Sequence, residues 1–272
     1  MALLDRTVAQ WFASNRRDLP WRSSTPWGVY VSEIMLQQTP VSLVLPAWHA
    51  WLQRWPEPAA LADDSVGEAI RAWGRLGYPR RAKRLHEAAV VMRDRFGGKV
   101  PATEEDLRTL PGVGEYTAAA VAAFAYGREA VVVDVNVRRF LTRLLTGDEP
   151  APTFTAAERA LAEQVHAALE IPSPTWAAAS MEFGALVCTA RAPKCDQCPL
   201  AQACDWVPGE RTTRTQTYEG TDRQARGAVL EVLRQGPADT FDWHDPAQLE
   251  RALAGLLEDG LIVRDRQWSL PT

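Results

Sequence analysis

The four cysteines of this chain, the only ones it has, fall as Cys188-x6-Cys195-x2-Cys198-x5-Cys204 within seventeen residues. Four thiolates so close in sequence can surround one metal centre, and the uneven spacing differs from the paired Cys-x2-Cys knuckles of a zinc ribbon. The pattern favours a cubane [4Fe–4S] cluster, with a structural zinc site or disulfides as the alternatives. No secretory signal precedes the first helical stretch, which argues against disulfides and for a reducing, cytoplasmic setting.

A chain of 272 residues with 46% hydrophobic content can bury a substantial core, and its length suits two small domains or one with an appendage. No apolar run approaches the roughly 20 residues that span a bilayer, so no membrane association is expected. The net charge of −4 argues only weakly against a nucleic-acid partner. Basic residues gather locally, at Arg71, Arg75, Arg80, Arg81, Lys83 and Arg84, at Arg138, Arg139 and Arg143, and at Arg191 and Lys194 beside the cysteines. These groups read either as phosphate-facing patches or as ordinary solvated helix faces.

Amphipathic periodicity predicts short helices punctuated by Pro and Gly: Leu3 to Asn15, Val31 to Gln38, Thr117 to Tyr126 and Ala156 to Leu169. A polar linker is expected over 209–220. Beyond it, helices over Arg223 to Arg234 and Asp245 to Glu258 precede a hairpin, Leu261-Ile262-Val263, a turn at 264–267, and Trp268-Ser269-Leu270. The ending reads as a small winged-helix-like module over 221–272.

In Leu110-Pro111-Gly112-Val113-Gly114-Glu115-Tyr116-Thr117, Gly112 and Gly114 make a tight turn before a new helix. Backbone N–H groups there can face an anion, and such a helix-hairpin-helix grips a DNA phosphate without reading a base.

These motifs, with Leu19-Pro20-Trp21, Ser32-Glu33-Ile34-Met35-Leu36-Gln37-Gln38-Thr39, Leu76-Gly77-Tyr78 and Asp134, resemble the helix-hairpin-helix DNA glycosylases, and within them the adenine DNA glycosylases of the MutY type. The resemblance covers roughly residues 3–206. It implies a mainly α, two-lobed fold: a six-helix lobe over 23–127, and a lobe of 1–22 with 128–208 carrying the iron-sulfur loop, with DNA in the cleft between. It implies a monofunctional enzyme of base-excision repair. Such an enzyme acts as a monomer, near the nucleoid, on double-stranded DNA containing adenine opposite 8-oxoguanine or guanine.

Cleaving an adenine N-glycosidic bond needs a proton for the leaving base and a stabiliser for the oxocarbenium ion left on the sugar. Glu33, in an apolar helical run, suits the acid because desolvation raises a carboxyl pKa. Asp134 matches the family's aspartate and is expected to stay ionised. By resemblance, Tyr116 hydrogen-bonds the catalytic glutamate and Asn136 orients the aspartate and its water. Trp21, Arg22, Leu36 and Glu182 align with parts of the adenine pocket, and Gln38, Thr39 and Tyr78 with residues that wedge into the base stack.

Departures from the family are Pro79 after Tyr78, where a second tyrosine is common, and Val135 after Asp134, where glycine is common. The family's larger Nudix-like C-terminal domain has no counterpart, and His244 is the only histidine after residue 209. The alternatives are a thymine-mismatch or endonuclease III type glycosylase of the same fold, or a non-catalytic iron-sulfur DNA-binding protein. A lyase of the endonuclease III type needs an amine where this chain has Tyr116, and its three lysines, Lys83, Lys99 and Lys194, lie outside the hairpin.

Overall fold

The structure, a computed structural model, describes residues 2–209 and 218–272; most of the expected linker, 210–217, lies outside the described residues. The helices, in order, are α1 (Ala2–Asn15), α2 (Pro26–Leu36), α3 (Val41–Arg54), α4 (Pro58–Ala62), α5 (Val66–Trp73), α6 (Arg80–Arg95) and α7 (Glu104–Arg108). They continue with α8 (Glu115–Tyr126), α9 (Val135–Thr146), α10 (Ala156–Ala167), α11 (Ser173–Leu186), α12 (Asp222–Gln235) and α13 (Pro246–Glu258). The chain ends on strands β1 (Val263–Arg264) and β2 (Trp268–Ser269), so the mainly helical class with a small C-terminal α+β module is as the sequence predicts. Among the described residues no helix is long and apolar enough to cross a membrane.

Two compact units emerge: one from the described residues of Met1–Val29, Ala102–Glu105 and Gly114–Thr212, the other from those of Tyr30–Pro101, Asp106–Val113 and Thr213–Thr272. In the first, Leu4, Val8 and Phe12 of α1 bury against Phe140 and Leu141 of α9 and Trp176 and Phe183 of α11. Trp11 meets Phe183 edge-on at 5.0 Å. This core fixes α9 and α11, which carry or adjoin Asp134, Asn136, Glu182 and Cys188.

The second unit is built on tryptophans. Trp51 packs edge-on against Trp55 at 4.6 Å and against Trp73 at 5.7 Å, and Leu61, Ile70, Leu85 and Met92 of the same unit are fully buried. Burial of each such side chain stabilises by about 1.5–3 kcal/mol. The C-terminal module belongs to this unit. Its hairpin pairs Val263 with Ser269 and Arg264 with Trp268, so Arg264 lies in β1 rather than in the predicted turn. Trp268 also exchanges backbone hydrogen bonds with Ala238, at 2.9 and 2.8 Å, which continues the sheet by one bridge.

Docking of this module accounts for most of the first basic cluster. Arg75 pairs with Glu231 at 3.0 Å, Lys83 donates to the Asp259 carbonyl at 2.9 Å, and Arg71 donates to the Arg234 carbonyl. Asp259 also receives Arg80 and Arg226, and these partners outweigh its burial to hold its carboxyl below the ordinary range. Arg71, Arg75, Arg80 and Lys83 thus all have protein partners in the C-terminal module, and Arg71 also pairs with Glu68 at 2.9 Å. The sequence shows a run of charge, but helices more than a hundred residues away supply many of its partners. Arg138, Arg139 and Arg143 are likewise spent internally; Arg138 pairs with Glu158 at 2.8 Å in the capping box of α10.

Helix α2 also departs from the expected 31–38 span. Thr25 Oγ1 accepts the Gly28 N–H at 3.2 Å and Pro26 occupies the first turn, so the helix begins earlier. It ends at Leu36 because Gln38 adopts φ 56° ahead of Pro40.

Candidate functional site

Around the cysteines the backbone alternates short turns with extended residues. Cys188 follows the end of α11, where Val187 caps the helix; Cys195 opens one 3-10 turn, Cys198 closes it, and Cys204 closes a second turn over Ala201–Ala203. The Lys194 N–H returns to the Val187 carbonyl at 2.9 Å and draws the loop closed. All four cysteines line one cavity, walled by Phe140, Phe183, Leu200 and Trp206. Yet among the described residues no three His, Cys, Asp or Glu side chains converge as a single ion requires. Four thiolates spread around a cavity fit a cubane better than one tetrahedral ion at about 2.3 Å from each sulfur. Burial pushes the Cys188 and Cys198 thiols above the usual cysteine value, and the other three cysteines raise Cys198 further. The positive charge that offsets this on ligation comes from the metal and from Arg143.

Arg143 is 1% exposed. It donates to Cys188 Sγ at 3.6 Å, to the Thr189 carbonyl at 2.9 Å and to Glu149 at 2.9 Å, with its guanidinium 3.9 Å from the centre of the Trp206 ring. Arg139, one turn earlier on α9, donates to the Cys188 carbonyl at 2.7 Å and the Gly184 carbonyl at 2.6 Å, and to Asn136 Oδ1 at 2.8 Å. Gly184 is required here by close approach: a Cβ would lie 2.5 Å from the Asn136 carbonyl oxygen.

Asp134 is both the N-cap of α9 and the centre of this network. Its Oδ1 accepts the Asn136 and Val137 N–H groups at 2.9 and 2.7 Å, and Oδ2 accepts Asn136 Nδ2 at 2.6 Å. Burial pushes the Asp134 carboxyl above its ordinary pKa, opposed by these hydrogen bonds and by Arg139. Asp134 is thus a desolvated carboxylate held by these hydrogen bonds. Val135, the departure from the family's glycine, has ordinary helical geometry in the first turn and is 70% exposed.

Glu182, on α11, is the second anchored carboxylate of this unit and is 2% exposed. Burial alone would raise its pKa, but Arg17 donates to it through the backbone N–H at 2.7 Å and through Nε and Nη2 at 2.9 and 2.7 Å; with Arg22 at 3.1 Å, the net effect lowers it. The structure thus joins Glu182 with Arg22, and adds Arg17, which sequence reasoning missed: nothing distinguishes it from its neighbours Arg16 and Asp18. Trp21 is buried in the adjoining 3-10 turn, Pro20–Ser23. Tyr116, half-buried at the start of α8, packs against a core of Ala119, Ala120, Ala123, Val132 and Ala177.

The hairpin glycines divide their work. Gly112 has φ 79°, and a Cβ there would meet the Arg84 side chain at 2.9 Å. Gly114 has an ordinary φ of −93° and caps α8, and nothing lies within 4 Å of where its Cβ would be. Its contribution is an open helix N-terminus of the kind that accommodates an anion.

In the second unit Glu33 is 5% exposed on α2, between Ser32 and Ile34, both nearer still to complete burial. Leu36 is half-buried at the end of the same helix. Gln38 and Tyr78 are exposed and Thr39 buried, and Gln38 (φ 56°) and Tyr78 (φ 48°) are the positive-φ residues other than glycine among the described residues. Left-handed conformations of this kind cost on the order of 1–3 kcal/mol each and persist only where the surroundings impose them. The imposing residue is Arg81, also missed from sequence. One Nη donates to the Ile34, Met35 and Gln37 carbonyls at 3.0, 3.0 and 2.5 Å, and the other to Thr39 Oγ1, the Leu76 carbonyl and the Gly77 carbonyl at 2.8, 3.1 and 3.1 Å.

Protein purified anaerobically is expected to contain iron and sulfide in equal amounts, and loss of the cluster to lower Tm by at least about 5 °C, because the binding energy of a structural metal centre is folding energy. Iron, sulfide and zinc analysis with calorimetry checks this; stoichiometric zinc without iron would overturn it.

Residues 31–166 match the family described as HhH-GPD superfamily base excision DNA repair protein, and residues 188–204 match the iron-sulfur binding domain of endonuclease III. The chain is 48% identical to an adenine DNA glycosylase of Mycolicibacterium smegmatis, over 96% of this chain and 93% of that one. It is 45% identical to one of Mycobacterium tuberculosis over 98% and 93%. Among solved structures, a thermostable thymine-DNA glycosylase superposes with a TM-score of 0.68 at 28% identity, covering 75% of this chain and 94% of that one.

Proposed function

The chain belongs to the HhH-GPD superfamily of base excision DNA repair proteins and, within it, to the adenine DNA glycosylases, and from that premise we propose that it hydrolyses the glycosidic bond of adenine opposite 8-oxoguanine or guanine. Glu33 protonates adenine N7 as the C1′–N9 bond breaks. Asp134, ionised, stabilises the oxocarbenium ion, and water adds to C1′ while its proton passes to solvent. Free adenine and an abasic site result. Asn136 holds the Asp134 carboxylate, Tyr116 supports the acid, and Trp21, Arg22, Leu36 and Glu182 receive the base. Gly112 and Gly114 present the hairpin to a DNA phosphate. The cluster, held by Cys188, Cys195, Cys198 and Cys204, supplies structural order to its loop. The protein acts as a monomer on duplex DNA at the nucleoid. The functional division follows residues 23–127, 1–22 with 128–208, and the module at 221–272.

One observation carries this reading: Asp134 is fixed through both oxygens, by two backbone N–H groups and by an Asn136 amide whose own oxygen is pinned by Arg139. A merely structural N-cap needs one such bond to N2 or N3. Pre-orientation of a carboxylate to this degree is what stabilisation of a developing cation requires. The test is single-turnover base release from duplexes containing A opposite 8-oxoguanine, A opposite G and T opposite G. Adenine is expected from the first two, faster opposite 8-oxoguanine, with thymine retained. Thymine release as fast as that of adenine would move the protein to the mismatch class. Borohydride trapping of an enzyme–DNA adduct would mark a lyase.

A further inference from the structure

Arg81 is buried at 8% exposure, and among the described residues no carboxylate pairs with it. Six oxygens take its charge, five of them backbone carbonyls, from the end of α2 with the turn that follows it and from the loop before α6. Ile34 and Met35 supply carbonyls from the last turn of α2, which a helix end otherwise leaves without partners and where a cation is favoured by the helix dipole. Leu76 and Gly77 supply carbonyls from the loop before α6. Thr39 Oγ1 joins the halves, since it accepts from Arg81 and donates to the Leu76 carbonyl at 3.1 Å. The guanidinium also lies 5.1 Å from the Trp73 ring centre and 5.4 Å from that of Tyr78. The two left-handed residues, Gln38 and Tyr78, sit one on each of the loops so tied.

We propose that Arg81 is a positioning residue for base extrusion: its guanidinium locks the Gln38-Thr39 turn and the Tyr78 turn into one rigid wedge at the end of the helix that carries Glu33. The proposal rests on the adenine glycosylase reading, in which those three side chains enter the base stack. The planar fork is what the site uses. A lysine keeps the charge, but its three donors radiate from one atom and cannot serve six oxygens on two loops. Relaxation of either loop would return Gln38 or Tyr78 to ordinary φ and turn its side chain away from the direction the clamp imposes. Extrusion would then lose its support while the duplex still binds through phosphates.

The experiment places 2-aminopurine at the target position, opposite guanine, and reads its fluorescence with the full-length, cluster-loaded protein carrying Glu33→Gln, so that extrusion is observed without cleavage. Adding Arg81→Lys is expected to reduce the extruded fraction about tenfold, a part of the cost of opening the stack, with duplex affinity within about threefold. Thr39→Val, which removes one hydroxyl and keeps the side chain's shape, is expected to give a smaller loss of the same sign, and it serves as the reading variant if Arg81→Lys fails to fold. In the otherwise wild-type protein, Arg81→Lys should lower the single-turnover rate at saturating enzyme by a similar factor. An extruded fraction within about twofold of the parent for the folded variants, or a loss matched by an equal loss of duplex binding, overturns the proposal and leaves Arg81 a fold-stabilising residue. A Glu33→Gln parent that binds the duplex and extrudes nothing would instead overturn the glycosylase reading itself.

Discussion

Glu33→Gln is expected to lower single-turnover adenine release by about a thousandfold or more, within the 10²–10⁴ that a positioned general acid contributes, while duplex affinity stays within about threefold. Glutamine has nearly the size of glutamate, and Glu33 is 5% exposed in a helix whose neighbours are more deeply buried still. The substitution therefore creates no cavity and leaves ground-state packing intact. What it removes is the transferable proton. Adenine is a poor leaving group until N7 is protonated, so the loss falls on the rate at saturating enzyme rather than on binding. Residual excision near the wild-type rate would assign the acid to another group.

Glu33 was legible because its setting is local: one carboxylate inside the apolar run Val31 to Leu36 stands out in any reading of the chain. The cysteine loop was legible for the same reason, since four ligands and their prolines fall within seventeen residues. Arg81 and Arg17 were not. An arginine that ends up buried among carbonyls has the same letters around it as one on a solvated face, and Arg80-Arg81-Ala82-Lys83-Arg84 reads as a basic patch until its partners are known. Arg80 and Lys83 go to Asp259, Arg81 turns inward, and Arg84 packs beside Gly112. Each outcome depends on a segment distant in sequence. The ends of α2 show a smaller version of the same limit. Thr25-Pro26 was an available start signal that periodicity alone passed over, whereas the stop at Leu36 depends on a guanidinium contributed from α6.

Asp134→Asn is the second large effect, and the hydrogen-bond directions around Asp134 say why it should exceed the loss of charge alone. An asparagine can keep its oxygen toward the Asn136 and Val137 N–H groups, but its amide nitrogen then faces Asn136 Nδ2, donor against donor. Rotating Asn136 to relieve this would set its nitrogen against the Arg139 nitrogen that now donates to Asn136 Oδ1 at 2.8 Å. Arg139 in turn is committed to the Cys188 and Gly184 carbonyls. The mismatch therefore has no local escape, and the neutral side chain also stabilises a cation poorly. Excision is expected to fall by about 10²–10⁴, with a stability loss of about 1–3 kcal/mol from the unsatisfied buried donor. For wild type, burial raises the Asp134 pKa, and in the proposed mechanism the ionised form is the active one. Activity should therefore be lost as pH falls through that raised value, giving an acid limb at higher pH than an ordinary aspartate would. Single-turnover rates across acidic pH, compared with a melting curve at each pH, separate titration from unfolding. An acid limb at or below the ordinary aspartate range, in protein that remains folded, would show that Asp134 is not the group whose ionisation the reaction needs.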